Sequence, residues 1–340
     1  MYHNLHKLMY VIKFKVLNIL FFGGAFMKIV LALGGNALQS DPKDKTPESQ
    51  LKTCKDTAKS IVDLIEEGHT VSVVHGNGPQ VGQILASVEA GYKANNSNVL
   101  FPFDVCGAFS QGYIGYHLQN AIEDELGKRN INKPVGTVVT QVLVNADDQG
   151  FQNPTKPIGS FYSEEEAKKL EAEKGYVMKE DAGRGYRRVV ASPKPVDVIE
   201  KAMIKQLVEA GNVVISCGGG GIPVVNDNGV IKGVPAVIDK DFAAEKLAEI
   251  IDADMLLVLT AVDQVAINFN KPNQESLAKM TLEEVDKYIA EGQFAPGSML
   301  PKVEACKKFV QFSENKTALI ASLAKAKEAI NGTSGTRIVK

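Results

Sequence analysis

Residues 27–38, MKIVLALGGNAL, hold the key to the architecture. After Lys28 the run to Leu33 is unbroken and apolar, as in a strand buried on both faces, and it feeds straight into the turn Gly34-Gly35-Asn36. Outward from it, residues 50–67 place Leu51, Cys54, Ala58, Ile61 and Ile65 at helical spacing, with Gly68 as the cap. Residues 70–74 read as the next strand, and a helix led by Pro79 runs to Ala90, with proline where its missing N–H costs little. A long helix near residues 109–126 leads to a strand at 136–144. This alternation predicts an α/β fold, a mostly parallel sheet covered by helices on both faces.

The alternation breaks at residues 145–195, a polar stretch that reads as an inserted lid subdomain. It carries FQNPTKPIGSF, a capping-box helix from Ser163 with Glu166, and the basic group Arg184, Arg187 and Arg188, expected to form a solvated face. Asp197 with Glu200 is expected to open a helix to Ala210. Residues 213–215 form a strand ending in Gly218-Gly219-Gly220-Gly221, NDNG at 226–229 reads as a hairpin turn, and 254–259 as a further strand. Thr281 with Glu284 caps another helix, residues 298–312 form a helix with Lys302 in its first turns, and 317–321 with a closing helix finish one domain over 27–340.

Residues 1–26 are apolar and basic, but Lys13 and Lys15 interrupt them, and they are expected to lie outside the fold as an extension. The 340 residues are 44% hydrophobic and 23% charged with net charge -2, a soluble globular composition with no nucleic-acid surface. Cys54, Cys106, Cys217 and Cys306 are far apart with no C-x-x-C pair, which fits buried thiols in a reducing, cytoplasmic setting.

Three glycine turns follow strands: Gly34 to Asn36, HGNGPQ at 75–80, and Gly218 to Gly221. In an open parallel sheet, ligands collect at the carboxyl ends of the strands, so the three turns can converge on one crevice, and backbone amides there suit an anion. The bland alternative is a set of tight turns without a ligand. No turn has the lysine of a Walker A loop, and Val81 stands where a dinucleotide fingerprint needs its third glycine.

The motifs LALGGNAL, HGNGPQVG, NPTKPIG, KEDAGRGYRRVVASPKP, SCGGGGIPVV, VIDKDFAAEKLA, LTAVD and FAPGSMLPKVEA resemble those of the carbamate kinases, in the amino-acid kinase superfamily, from about Met27 to the carboxyl terminus. The resemblance implies a three-layer αβα sandwich on an eight-stranded sheet, a protruding subdomain, and a homodimer acting on small molecules, with neither nucleic acid nor membrane as partner. It implies reversible transfer between carbamoyl phosphate and ADP, giving ATP and carbamate, commonly at the end of arginine breakdown. The alternatives are a related acid or UMP kinase, or a silent ligand-binding member of the fold.

Phosphoryl transfer needs positioning and cations around the moving charge. Lys240 and Lys302 are candidates, although a lone lysine is ordinarily a solvated surface residue. The resemblance puts Lys240 beside the transferring phosphoryl, Lys302 near the nucleotide phosphates, and Asp241 between them; one of Asp239 and Asp241 is expected to cap the helix. Lys156, between Pro154 and Pro157, reads as a rigid loop tip, and the resemblance makes it the lid lysine that reaches carbamoyl phosphate. Gly34, Gly35, Asn36, Gly76, Asn77 and Gly78 are expected on the substrate, and Gly218, Gly219, Gly220, Gly221, Ala261, Val262 and Asp263 on the nucleotide side. Magnesium is expected on the nucleotide phosphates, without a protein metal site. His75 reads as structural, because carbamate needs no base.

Overall fold

A computed structural model describes residues 26–41, 43–181 and 183–340. Among them, the central sheet has eight strands: β1 Lys28–Leu33, β2 Thr70–His75, β3 Val135–Thr137, β4 Val213–Ile215, β5 Met255–Thr260, β6 Lys279–Thr281, β7 Thr317–Ser322 and β8 Thr336–Val339. They lie in the order β6-β8-β7-β5-β1-β2-β4-β3, and within this sheet only β7 and β8 pair antiparallel. The extension expected at residues 1–26 falls, apart from Phe26, outside the described residues.

β1 shows why there are three layers. Its side chains alternate between faces, and both faces are covered. Ile29, Leu31 and Leu33 pack with residues of α1 (Pro47–Glu66) and α3 (Phe103–Lys128). Val30 and Ala32 pack on the other side with α4 (Lys240–Ile250) and α5 (Met299–Gln311). Leu31 is fully buried, so Leu31→Ala costs about 2–5 kcal/mol.

Several local signals form as the residues require. The Ser163/Glu166 and Thr281/Glu284 capping boxes are both present. NDNG closes the hairpin between Ile222–Asp227 and Val230–Gly233, with positive φ at Asn228 and Gly229. α1 starts earlier than expected because Thr46 accepts from the Ser49 amide and Pro47 suits the first turn.

The expected strand at 136–144 is two strands in two sheets. β3 ends at Thr137, and Gln141–Leu143 joins Asp197–Val198, Ile222–Asp227 and Val230–Gly233 in a separate four-stranded sheet. Fully buried Thr140 makes the break: its backbone N–H and C=O bond the Gln111 side-chain amide at 2.8 and 3.0 Å, and its hydroxyl accepts from the Cys217 amide at 2.9 Å. The expected Asp197/Glu200 helix opening is also replaced. Glu200 takes the backbone and side-chain N–H groups of Gln141 at 2.8 Å, and the helix Lys201–Glu209 starts without a side-chain cap.

Within residues 145–195, Lys156–Tyr162, Tyr186–Val190 and Val177–Glu180 form an antiparallel sheet backed by the helix Glu164–Lys174. The arginines do not make one solvated face. Arg184 is exposed, but Arg187 bonds Asp181 and the Gly159 carbonyl beside Phe161, and Arg188 stacks on Tyr176 with its guanidinium 3.7 Å from the ring centroid. Two of the three therefore hold the subdomain together.

Candidate active site

Four parallel strands end at one edge of the sheet, each in a turn. β5 ends at Thr260 before Ala261, β1 at Leu33 before Gly34, β2 at His75 before Gly76, and β4 leads through Ser216 and Cys217 to Gly218. The spatial order β5-β1-β2-β4 puts the Ala261–Asp263 segment and the four glycines on opposite flanks, with the Gly34 and Gly76 turns between them. Both groups were expected on the nucleotide side, and β1 and β2 lie between the strands that carry them. Gly219 and Gly220 pack with the Asn77 turn and the approach to Lys240, while Gly218 faces His75 and Gly221 faces Val142. A Cβ on Gly219 would meet the Asn77 side chain at 2.2 Å, and one on Gly220 would meet the Ile238 carbonyl oxygen at 2.1 Å. Gly219, Gly220 and Gly221 also have φ of 67°, 91° and 87°, so this turn needs glycine for its backbone as well as for its space.

Lys240 opens α4 directly over the Gly76 turn, where a Cβ on Gly76 would lie 3.2 Å from the Lys240 Cδ. Its ammonium bonds Asp241 Oδ1, and Lys302, in the first turn of α5, bonds Asp241 Oδ2 at 2.8 Å. One carboxylate, 2% exposed, thus spaces two ammonium groups. Burial lowers the Lys240 pKa to about 8, with Asp241 opposing the fall. At Lys302 burial also works against the charge, but Asp241 outweighs it and the pKa is raised.

Asp239 is the helix cap: its Oδ1 accepts from the Asp241 amide at 2.9 Å. Its Oδ2 receives Lys156 Nζ at 2.5 Å. Burial raises the Asp239 carboxyl, but Lys156 and Lys240 overcome this and hold it well below the usual carboxylate range. Lys156 is not on a proline-stiffened tip; it opens a strand and pairs with Val190 at the root of the subdomain. The chain leaving that subdomain is bridged at Ala191 to Ala236, with the Val237 amide donating to the Ala191 carbonyl, which brings Lys156 to Asp239. Nothing local in NPTKP announces a partner 83 residues away.

Asn77, expected on the substrate through its side-chain amide, donates that amide to Ser110 Oγ at 2.8 Å and is buried. The side chain of Asn36 lies outside the described residues, while its backbone forms the short helix Gly35–Ala37. Ala261 and Asp263 are exposed, and Asp263 pairs with Lys325 at 2.6 Å. His75 is buried at the end of β2 with Nδ1 2.9 Å from the Gly76 carbonyl oxygen, and burial lowers its pKa to about 4. It is neutral at pH 7 and packs against Gly218, where a Cβ would fall 2.4 Å from Nε2. Among the described residues no group of three or more His, Cys, Asp and Glu is placed to hold a metal.

Residues 27–322 match the Amino acid kinase family. The carbamate kinase of Clostridium perfringens (strain 13 / Type A) is 71% identical over 314 residues, covering 92% of this chain and 100% of that protein. The chain belongs to the carbamate kinases. A carbamate kinase-like protein of Escherichia coli (strain K12), YqeA, is 58% identical over 311 residues, covering 92% of this chain and 98% of its own length. Among solved structures, the carbamate kinase from Giardia lamblia bound to AMP-PNP superposes with a TM-score of 0.84 at 42% identity, covering 93% of this chain and 99% of that one. The same Giardia enzyme bound to citric acid gives 0.87 at 42% identity, with the same coverage. This carbamate kinase therefore has the mostly parallel α/β sandwich of its family and is an enzyme.

Proposed function

We propose that this carbamate kinase exchanges a phosphoryl group between carbamoyl phosphate and ADP through Lys156, Lys240, Asp241 and Lys302. The bond from the carbamate oxygen to phosphorus breaks, and one from the ADP terminal phosphate oxygen to phosphorus forms. The observation that carries the reading is the pair of ammonium groups on one buried carboxylate, at the edge where four strand-end turns meet. Charge spreads over the moving group, and preorganised cations in a water-poor site are the main means of stabilising it.

In this reading Lys240 stands beside the moving phosphoryl and Lys302 beside the nucleotide phosphates, with Asp241 keeping them apart. Gly34, Gly35, Asn36, Gly76, Asn77 and Gly78 form the carbamoyl phosphate wall, chiefly through backbone amides. The contacts of Gly219 with Asn77 and of Gly220 with Ile238 support placing that turn behind the wall, next to the nucleotide side expected for Gly218 to Gly221. Ala261, Val262 and Asp263, on the far flank, are left to the nucleotide. Lys156 leaves Asp239 for the carbamoyl phosphate as the subdomain, residues 145–195 of the single domain 27–340, closes and excludes water. No residue is asked to move a proton, in keeping with a neutral, enclosed His75.

Magnesium suits the site as a companion of the nucleotide. Both Asp241 oxygens are engaged by lysines and Asp239 Oδ1 by the Asp241 amide, so the metal would ride on nucleotide phosphates, where it would neutralise their charge. A homodimer is supported by exposed Phe101, Phe109 and Tyr116 on and beside α3. A cytoplasmic setting is supported by four free, buried cysteines. We assign the ATP-forming direction, at the end of arginine breakdown, on the habit of the family.

The test is ATP formation from ADP, carbamoyl phosphate and magnesium, for the wild type and for Lys156→Ala and Lys240→Ala. Each variant should stay folded and lose about 100-fold or more in rate. Near-normal turnover in both variants would remove the assignment of the lysines, and an inactive wild type would remove the reaction.

A further inference from the structure

Helix α2 (Gly78–Ala94) starts at the Gly76 turn and meets the subdomain along one stripe: Gly78, Val81, Gly82, Leu85 and Glu89. Those positions fall at i, i+3, i+4, i+7 and i+11, a single helix face. At the inner end, a Cβ on Gly78 would lie 3.7 Å from the Pro157 carbonyl oxygen. One turn on, a Cβ on Gly82 would lie 2.1 Å from Gly159 Cα, so the two backbones touch. Val81 then packs with Ile158 and Val190, with Leu85 against the cluster, in a small apolar seam.

The outer end of the stripe is polar. Glu89 accepts hydrogen bonds from Lys174 Nζ and from the Tyr176 hydroxyl. Arg188 lies 3.9 Å from Glu89 Oε1 and stacks on the Tyr176 ring. The donors come from separate places: Lys174 ends the subdomain helix, Tyr176 follows it, and Arg188 is on the central subdomain strand. An isolated surface pair contributes little, but one carboxylate shared by three groups, with a stacked guanidinium, is a network whose members orient one another. The strand from Lys156 to Tyr162 runs between this cluster and the Asp239 pairing. With Glu89 at one end and Gly78 at the other, the helix that carries the substrate turn also sets the height and tilt of the strand that carries the lysine.

We propose that Glu89 is a positioning residue for Lys156: by clamping Lys174, Tyr176 and Arg188 to α2, it seats the subdomain so that Lys156 reaches the substrate. This rests on the role given to Lys156 above. Glu89 touches no reacting group, so its effect runs through the lysine.

The experiment compares Glu89→Ala and Glu89→Gln with the wild type in full-length protein. Both variants should raise KM for carbamoyl phosphate about tenfold, while ADP affinity by calorimetry stays within about twofold. Hydrogen exchange across 156–190 should speed up without ligand. Tyr176→Phe, which keeps every charge, should give a smaller change. Glu89→Ala combined with Lys156→Ala should be no slower than Lys156→Ala alone, because both act through one contact. An unchanged KM in both Glu89 variants, or losses that multiply in the double variant, overturns the proposal. If the wild type does not turn over carbamoyl phosphate, the reaction assignment fails by itself; the exchange measurement then decides on the clamp, which is overturned if exchange is unchanged.

Discussion

Lys156 Nζ lies 2.5 Å from Asp239 Oδ2, so a strand of the subdomain is tied to the cap of α4 by an ion pair across 83 residues. The same carboxylate does two jobs, since its Oδ1 holds the Asp241 amide. The lid lysine is therefore seated at the edge of the cluster it is proposed to serve.

Asp239→Asn separates the two jobs. Asparagine caps helices about as well as aspartate, so α4 keeps its start, but the charge that seats Lys156 is gone. The cap survives, but the loss of a buried charge stabilised by Lys156 and Lys240 should still lower the melting temperature. Hydrogen exchange at 156–162 should rise in the ligand-free protein, and equal exchange in variant and wild type would show that the pair does not hold the strand.

Asp241→Ala leaves two buried ammonium groups facing each other. Removing one partner of a buried pair costs about 3–5 kcal/mol, and here it strands two cations. Urea unfolding should show that loss. Adding back the neutralisation with Lys302→Met should recover part of it, because the mutual repulsion then disappears. A double variant less stable than Asp241→Ala contradicts this account.

Lys240 predicts a pH limb. Burial holds its pKa at about 8, so in the free enzyme the ammonium is lost as pH rises through that value, and kcat/KM should fall above it. Stability moves the other way: the unfolded lysine keeps its proton up to its ordinary value of 10.5, so between about 8 and 10.5 this group makes folding more favourable as pH rises. Bound phosphates pull the ammonium pKa upward, which should shift the kcat limb above the kcat/KM limb. In Lys240→Arg the limb should vanish from whatever activity remains, since a guanidinium stays charged. A limb at the same pH in that variant assigns it elsewhere.

His75 predicts a loss of stability in acid. Its folded pKa of about 4 lies below the ordinary 6.5, so between those values the unfolded chain binds more protons and stability falls as pH falls. The full contribution is about 3 kcal/mol. Chemical unfolding of wild type and His75→Gln should show a gap in stability that narrows from pH 6.5 to 4. A constant gap would mean that the imidazole does not titrate as described.

Much of the site can be read from residues 27–38 onward, because a glycine turn after an apolar strand is a local pattern and three such turns recur. A cap at Asp239 or Asp241 follows from the same kind of local rule, with the structure selecting Asp239, as do both capping boxes. What escapes sequence reading depends on partners far along the chain. Val138 and Val139 continue the β pattern of their neighbours, and only Gln111 and Cys217, bonded to Thr140, reveal that the chain changes sheets there. The separation of Gly218–Gly221 from Ala261–Asp263 is invisible for a similar reason. β4 and β5 are consecutive in the central sheet along the chain, yet β2 and β1 lie between them in space. Arg187 and Arg188 look like surface charge until Phe161 and Tyr176 are seen beneath them.

The ion pairs around Asp239 and Asp241 also set what the site attracts. Three ammonium groups, Lys156, Lys240 and Lys302, share two carboxylates, so the cluster carries one net positive charge instead of three. A nearly self-balanced cluster exerts little pull on passing polyanions or bulk salt. An incoming phosphate must take over the place of a carboxylate at Lys156, so entry is an exchange of one anion for another. Selection then falls on the shape and placement of the replacement charge more than on its amount.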